Sequence, residues 1–177
     1  MRYKFPDPED SGSLAHLFQD TTEKFSERPF LYFEDEMWTY GHTNKAANSM
    51  ARYLVSTGVK HGDRVVLFME NRPSFLISLL ALNKIGAIAV LINTSLTGDP
   101  LIHCINSSDA VKCIVGAERA SPLEDVLNQI NITKQEDFLW AQDTAQYSLP
   151  DWAIDLKAQL DLSDDDNLEE TNSVRVK

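Results

Sequence analysis

Three short polar clusters each follow an apolar run. Glu70-Asn71-Arg72 comes after RVVLF, Asn93-Thr94-Ser95 after AIAVLI, and Gly116-Ala117-Glu118 after CIV. Gathered at one place, the carboxylates, the guanidinium, the amides and the hydroxyls of these clusters could hold a polar or anionic ligand by charge and hydrogen bonding. Each cluster also has a purely structural use. Asn93, Thr94 and Ser95 are helix-capping types, and Glu70-Asn71-Arg72 stands where a solvated turn would lead into Pro73. Other chemistries lack their residues. His16, His42, His61 and His103 fall on separate segments, with no second ligand one helical turn away. Cys104 and Cys113 fit neither a redox CxxC nor a zinc spacing, and read as core thiols in a reducing compartment. GxSxG, GxGxxG and GxxxxGK[ST] do not occur. No catalytic residue and no metal ligand is nominated.

The polar clusters need a frame, and the pattern around them supplies one. Apolar runs begin near residues 64, 87 and 112, with helical periodicity in each gap. The first gap runs from Pro73 through Phe75, Leu79, Leu80 and Leu82 to Gly86, with Asn71 near the cap. The second is capped by Ser95 or Thr97 and passes through Leu101, Ile102 and Ile105. Alternation at this interval predicts an α/β fold: a three-layer, mostly parallel sheet with crossover helices. Runs as apolar as RVVLF and AIAVLI suit strands covered on both faces. In such sheets ligands bind beyond the carboxyl ends of the strands. Glu70, Asn71, Arg72, Asn93, Thr94 and Ser95 are therefore the candidate ligand-side residues. Before the sheet, SLAHLFQDTTEKFSER reads as a helix with Leu14, Leu17, Phe18 and Phe25 on one face. PFLYFEDEMWTY then reads as a hairpin turning at Glu34-Asp35-Glu36, and a second helix carries Ala47, Met50, Ala51 and Leu54 to a stop at Gly58. Ser121-Pro122 opens one more helix, and Phe138-Leu139-Trp140 is strand-like.

The eighteen residues from Phe75 to Ile92 carry one charge, that of Lys84, and raise the question of a membrane span. A span needs about 20 predominantly apolar residues. Asn83-Lys84 and Gly86 interrupt this run, so a helix followed by a strand explains it better. MRYKFPDPEDSGS has no apolar signal core, which leaves a cytoplasmic location as the expectation. Three N-x-[ST] triplets, at Asn93, Asn106 and Asn131, then read as chance. The net charge of −11 argues against nucleic acid as a partner. It is unevenly placed, with 13 acids and 11 bases in residues 1–117 against 14 acids and 5 bases in residues 118–177. Asp161 to Glu170 holds six acids in ten positions, but an EF-hand loop needs a Gly sixth and a Glu twelfth, and Asp166 and Asn172 stand there. The division expected is an α/β subdomain over 1–140 and an acidic, poorly structured segment over 141–177.

Between Trp38 and Gly116 the chain resembles the adenylate-forming acyl-CoA synthetases. The resemblance rests on an ordered set: Trp38-Thr39-Tyr40 with Asn44, Ala47, Asn48, Ala51 and Leu54; Gly58-Val59-Lys60-His61-Gly62-Asp63-Arg64-Val65; Glu70-Asn71-Arg72-Pro73-Ser74-Phe75; and Leu82-x-Lys84-Ile85-Gly86-Ala87. MENRPSF, KIGAIAVLINTSL and LIHCINSS are most similar to the fatty-acid transport protein, or very-long-chain acyl-CoA synthetase, branch. The resemblance implies part of the large N-terminal domain of that fold. It also implies a two-step reaction in which a fatty acid attacks ATP to give acyl-AMP and pyrophosphate, and CoA then displaces AMP. ATP, Mg²⁺, CoA and a fatty acid belong to the parent enzyme on this reading, with uptake of fatty acid and membrane association open for it.

The departures matter as much. The family's Ser/Thr/Gly-rich phosphate loop, its later Thr-Glu motif, its ribose-binding Asp, its hinge and its catalytic Lys have no counterpart in these residues. Asn172 to Lys177 resembles the segment that leads into that loop. No catalytic residue is carried over. The expectation is an N-terminal fragment of a fatty acyl-CoA synthetase, inactive alone, whose partner is the rest of the synthetase. A non-catalytic binding or interaction module reusing the half-domain is the alternative. A partial sheet exposes an edge, through which self-association is expected.

Overall fold

The computed structural model describes residues 13–143 and 146–160. Helix α1 (Leu14–Phe25) is capped by Ser13, whose side chain accepts the His16 N–H. Strands β1 (Pro29–Phe33) and β2 (Glu36–Thr39) form an antiparallel hairpin. Its turn lies at Glu34-Asp35, with Glu34 at φ 50°, and Glu36 already belongs to β2, opposite Phe33. Thr39 caps α2 (Tyr40–Ser56) by accepting the His42 N–H at 3.1 Å.

Five parallel strands follow: β3 (Arg64–Phe68), β4 (Ile88–Leu91), β5 (Lys112–Gly116), β6 (Phe138–Ala141) and β7 (Ile154–Asp155). Their order across the sheet is β4-β3-β5-β6-β7. Helix α3 (Pro73–Lys84) joins β3 to β4, α4 (Gly98–Ser107) joins β4 to β5, and the short α5 (Ala120–Glu124) lies in the path to β6. MENRPSFLISLLALNKIGAIAVLINTSL is thus turn, helix, strand and turn. No helix among the described residues is long and apolar enough to cross a membrane.

Alternation along each strand divides the core into two layers. Val65 and Leu67, Ile114 and Leu139 face α1, α2 and α3, where they meet Phe18, Met50, Leu54, Leu80 and Ala81. Val66 and Phe68, Cys113 and Val115, Phe138 and Trp140 face the opposite layer, with Leu101 and Ile105 of α4 and Leu123 of α5. The central strands β3, β5 and β6 are covered on both faces, as their unbroken apolar runs require.

Four expectations need correction. AIAVLI is not covered on both faces. β4 is an edge strand, and Ile88 and Leu91 are 48% and 56% exposed. In α1 the buried stripe is Ala15, Phe18 and Thr22, while Leu14, Leu17 and Phe25 point outward, because the helix docks against α2 and α3 along the face that carries Phe18. The helix expected to open at Ser121-Pro122 ends at Glu124 and gives way to isolated turns. Finally, residues beyond 140 are not uniformly without structure. β6 runs through Ala141, β7 adds a fifth strand, and α6 (Leu156–Leu160) buries Leu156, with the Ser49 hydroxyl donating to the Leu160 carbonyl at 3.1 Å. Elements of two and five residues are too short to show a period in sequence. The acidic run from Asp161 and the segment Asn172–Lys177 lie outside the described residues.

Candidate functional site at the carboxyl ends of the strands

From β3 the chain moves outward to β4, then returns past β3 to β5. The two connections, α3 and α4, lie on opposite faces of the sheet. The order therefore reverses between β3 and β5, and in doubly wound sheets that reversal opens a crevice beyond the strand ends. Glu70-Asn71-Arg72 leaves β3 on one side of it, and Glu118 and Arg119 follow β5 on the other.

The crevice is bridged by the chain's own charges. One Glu118 carboxylate oxygen, Oε1, accepts the backbone N–H of Glu70 at 2.8 Å. The other, Oε2, lies 3.7 Å from Arg72 Nε. Arg119 in turn donates through Nη2 to Glu70 Oε1. Glu118 is well buried, with its side chain 8% exposed, whereas Glu70 is 44% exposed. Gly116 makes room for this arrangement. A Cβ built there would lie 2.6 Å from Glu118 Oε2 and 2.7 Å from Met69 Cβ, so any larger residue would push the carboxylate away. The two carboxylates balance the two guanidiniums in charge, while Arg72 Nε and Arg119 Nε remain buried without a hydrogen-bond acceptor.

The other candidate residues divide. Glu70, Asn71, Asn93 and Thr94 line one open cleft between the ends of β3 and β4, floored by Met69, Phe75, Leu91 and Ile92. Arg72 turns from that cleft toward Glu118 and takes the N-cap position of α3, without a side-chain cap hydrogen bond. Ser95 donates its N–H to Asn93 Oδ1 at 2.9 Å, so Asn93 closes a local turn, and Thr97 is the N-cap of α4. Arg119 was not a candidate, because a basic residue three positions past a strand carries no distinguishing signal before β5 is known to neighbour β3. Among the described residues no three or more His, Cys, Asp or Glu side chains gather to hold a metal ion.

Two buried ionisable groups stand away from this end. Lys84, in the last turn of α3, is 1% exposed, and burial lowers its ammonium to about 8. Cys113, in the middle of the sheet, is fully enclosed, and burial pushes its thiol up. An inert core thiol suits the role expected of it.

Comparison with known proteins bears on what this geometry serves. A family model described as AMP-binding enzyme matches residues 18–171. Long-chain fatty acid transport protein 6 of Mus musculus is 27% identical over 155 residues, which is 87% of this chain and 24% of that protein. The medium/long-chain-fatty-acid–CoA ligase FadD6 of Mycobacterium tuberculosis (strain ATCC 25618 / H37Rv) is 34% identical over 118 residues, 67% of this chain and 20% of the ligase. Among solved structures, the anthranilate CoA ligase AuaEII in complex with anthranoyl-AMP superposes with a TM-score of 0.83 at 19% identity, covering 95% of this chain and 32% of that one. The N-terminal domain of FACL13 from Mycobacterium tuberculosis gives 0.73 at 23% identity, covering 90% and 38%. The chain thus spans about a quarter or less of the curated relatives it matches.

Proposed function

We propose, because this chain belongs to the AMP-binding enzyme family, that it forms the first sheet layer of the N-terminal domain of an ATP-dependent fatty acyl-CoA synthetase. The parent would join a fatty acid to CoA through acyl-AMP, and the relatives named for fatty acid transport favour a link to uptake. This chain supplies a scaffold in that reaction and does not carry it out. The observation behind this reading is the charge arrangement at the sheet's switch point. Arg72 and Arg119, the basic side chains there, are both committed to glutamates, so they offer no free cradle for a triphosphate. No three acidic or imidazole groups converge there among the described residues, so no step is assigned to Mg²⁺ on this chain.

The carboxyl-end residues Glu70, Asn71, Asn93 and Thr94 would then face the remainder of the synthetase, across which ATP, CoA and the fatty acid bind. The α/β part extends through α6 on this reading, and the sequence after it leads toward the phosphate loop. The test is ATP–pyrophosphate exchange by the purified chain across a series of fatty acids. No acid-dependent exchange is expected. Exchange above background that depends on the acid would overturn the scaffold reading.

A further inference from the structure

A separate pocket of about 220 Å³ lies where α2, α3, α6 and the chain leaving β6 come together. Met50, Ile77, Leu156 and Leu160 give it an apolar wall. Two carboxylates and one ammonium, those of Glu36, Asp143 and Lys157, stand at its border, and all three residues are exposed. Each carboxylate is held through one oxygen. Trp38 Nε1 donates to Glu36 Oε2 at 3.1 Å, and the Ser74 hydroxyl donates to Asp143 Oδ1 at 2.5 Å. Among the described residues, Glu36 Oε1 and Asp143 Oδ2 accept no hydrogen bond, and Lys157 forms an ion pair with neither acid. Two positioned acceptor oxygens are left for a ligand that solvent can deliver.

Charge decides what those oxygens accept. With two negative groups against one positive, the border attracts a cation and repels a carboxylate. The positive amino end of α3 does not reverse this, because Asp143 is held there by the Ser74 hydroxyl. Trp38 lines the same pocket, fixed by its bond to Glu36 and by stacking on His42 at 4.3 Å. An indole surface attracts a cation as well. The apolar wall asks for hydrocarbon behind the charge. We propose that this pocket binds an aliphatic amine as its ammonium, with the charge at Glu36 and Asp143 and the chain lying on Met50, Ile77 and Leu156. At interior packing density the volume suits roughly eight to ten non-hydrogen atoms, more than the side chain of a partner's lysine would supply. The site takes no part in acyl transfer and is independent of the scaffold role.

The test is a ¹H–¹⁵N titration of the full chain with octylammonium, 1-octanol, octanoate and butylammonium in parallel. It is repeated on the double variant Glu36→Gln/Asp143→Asn and on Ile77→Trp. Octylammonium is expected to saturate, with shifts concentrated at residues 36–38, 46–50, 74–78 and 156–160. Octanol should bind about tenfold more weakly, and octanoate more weakly still. Butylammonium, the length of a lysine side chain, should bind at least about tenfold more weakly through lost apolar contact. The double variant keeps an acceptor for Trp38 and for the Ser74 hydroxyl, and so keeps the fold. It should weaken octylammonium about tenfold and leave octanol unchanged. Ile77→Trp should abolish saturation by filling the pocket. Four results would overturn the assignment: no saturable octylammonium binding, octanol or octanoate binding as tightly, butylammonium binding as tightly, or the double variant binding octylammonium unchanged. Failure here leaves the exchange experiment untouched, since that assay reads phosphate chemistry.

Discussion

The Glu118 carboxylate accepts the backbone N–H of Glu70 at 2.8 Å, across 48 residues of sequence. It closes the crevice between β3 and β5 and stands beside Arg72. Removing it in Glu118→Ala leaves a buried N–H without an acceptor and Arg72 without its counter-charge. A loss of roughly 1–3 kcal/mol is expected by urea denaturation. Glu118→Gln keeps an acceptor for the N–H and should lose less.

Gly116→Ala places a methyl into the space of the same carboxylate and against Met69. It should cost about 1–3 kcal/mol, the range for overpacking. In the Gly116→Ala/Glu118→Ala double variant the combined loss should be smaller than the sum, because the second change removes one of the two clashes. Strict additivity would mean that Gly116 serves the strand end for some other reason.

Lys84 gives the chain a signed pH dependence. Its folded-state value, about 8, lies below the ordinary lysine value, so the unfolded chain holds the extra proton between about pH 8 and pH 10.5. Stability should rise with pH across that window, by up to about 1 kcal/mol between pH 8 and pH 9. Above pH 9 the raised Cys113 thiol, and above pH 10 the raised Tyr53 phenol, work in the opposite direction, since burial keeps both protonated in the folded state. Lys84→Met should remove the rise and should raise stability at pH 7. Denaturation midpoints at pH 7, 8 and 9 for both chains decide it. A Lys84→Met chain that still gains stability over this window would show that another group titrates.

Helix α1 presents two unlike faces. Phe18 packs edge-on to Phe30 at 4.9 Å and against Tyr40 at 5.5 Å, so Phe18→Ala should cost about 3–5 kcal/mol. Leu17 is half exposed, and Leu17→Ala should stay within about 0.5 kcal/mol. Equal losses at the two positions would mean that something covers the outer face in solution.

The free edge of β4 carries Ile88 and Leu91 outward. We expect concentration-dependent association of the chain in sedimentation velocity, weakened by Leu91→Lys with little change in the unfolding midpoint. A wild-type chain that remains monomeric at high concentration would remove the edge as an association surface.

Much of this protein is present in local sequence. RVVLF, Pro73 with its apolar helix, and CIV specify β3, α3 and β5 almost to the residue, because strand runs and helix starts are short-range signals. The candidate residues after each strand follow from the same pattern, since a parallel sheet places all its carboxyl ends on one side. What the pattern leaves open is which strand stands next to which. That adjacency makes AIAVLI an exposed edge, brings Glu118 and Arg119 to Glu70 and Arg72, and turns the five-residue α6 into a pocket wall. Local periodicity records which residues are apolar enough to be covered. Only the tertiary structure decides what covers it, because contacts across 48 or 111 residues depend on strand order and not on spacing.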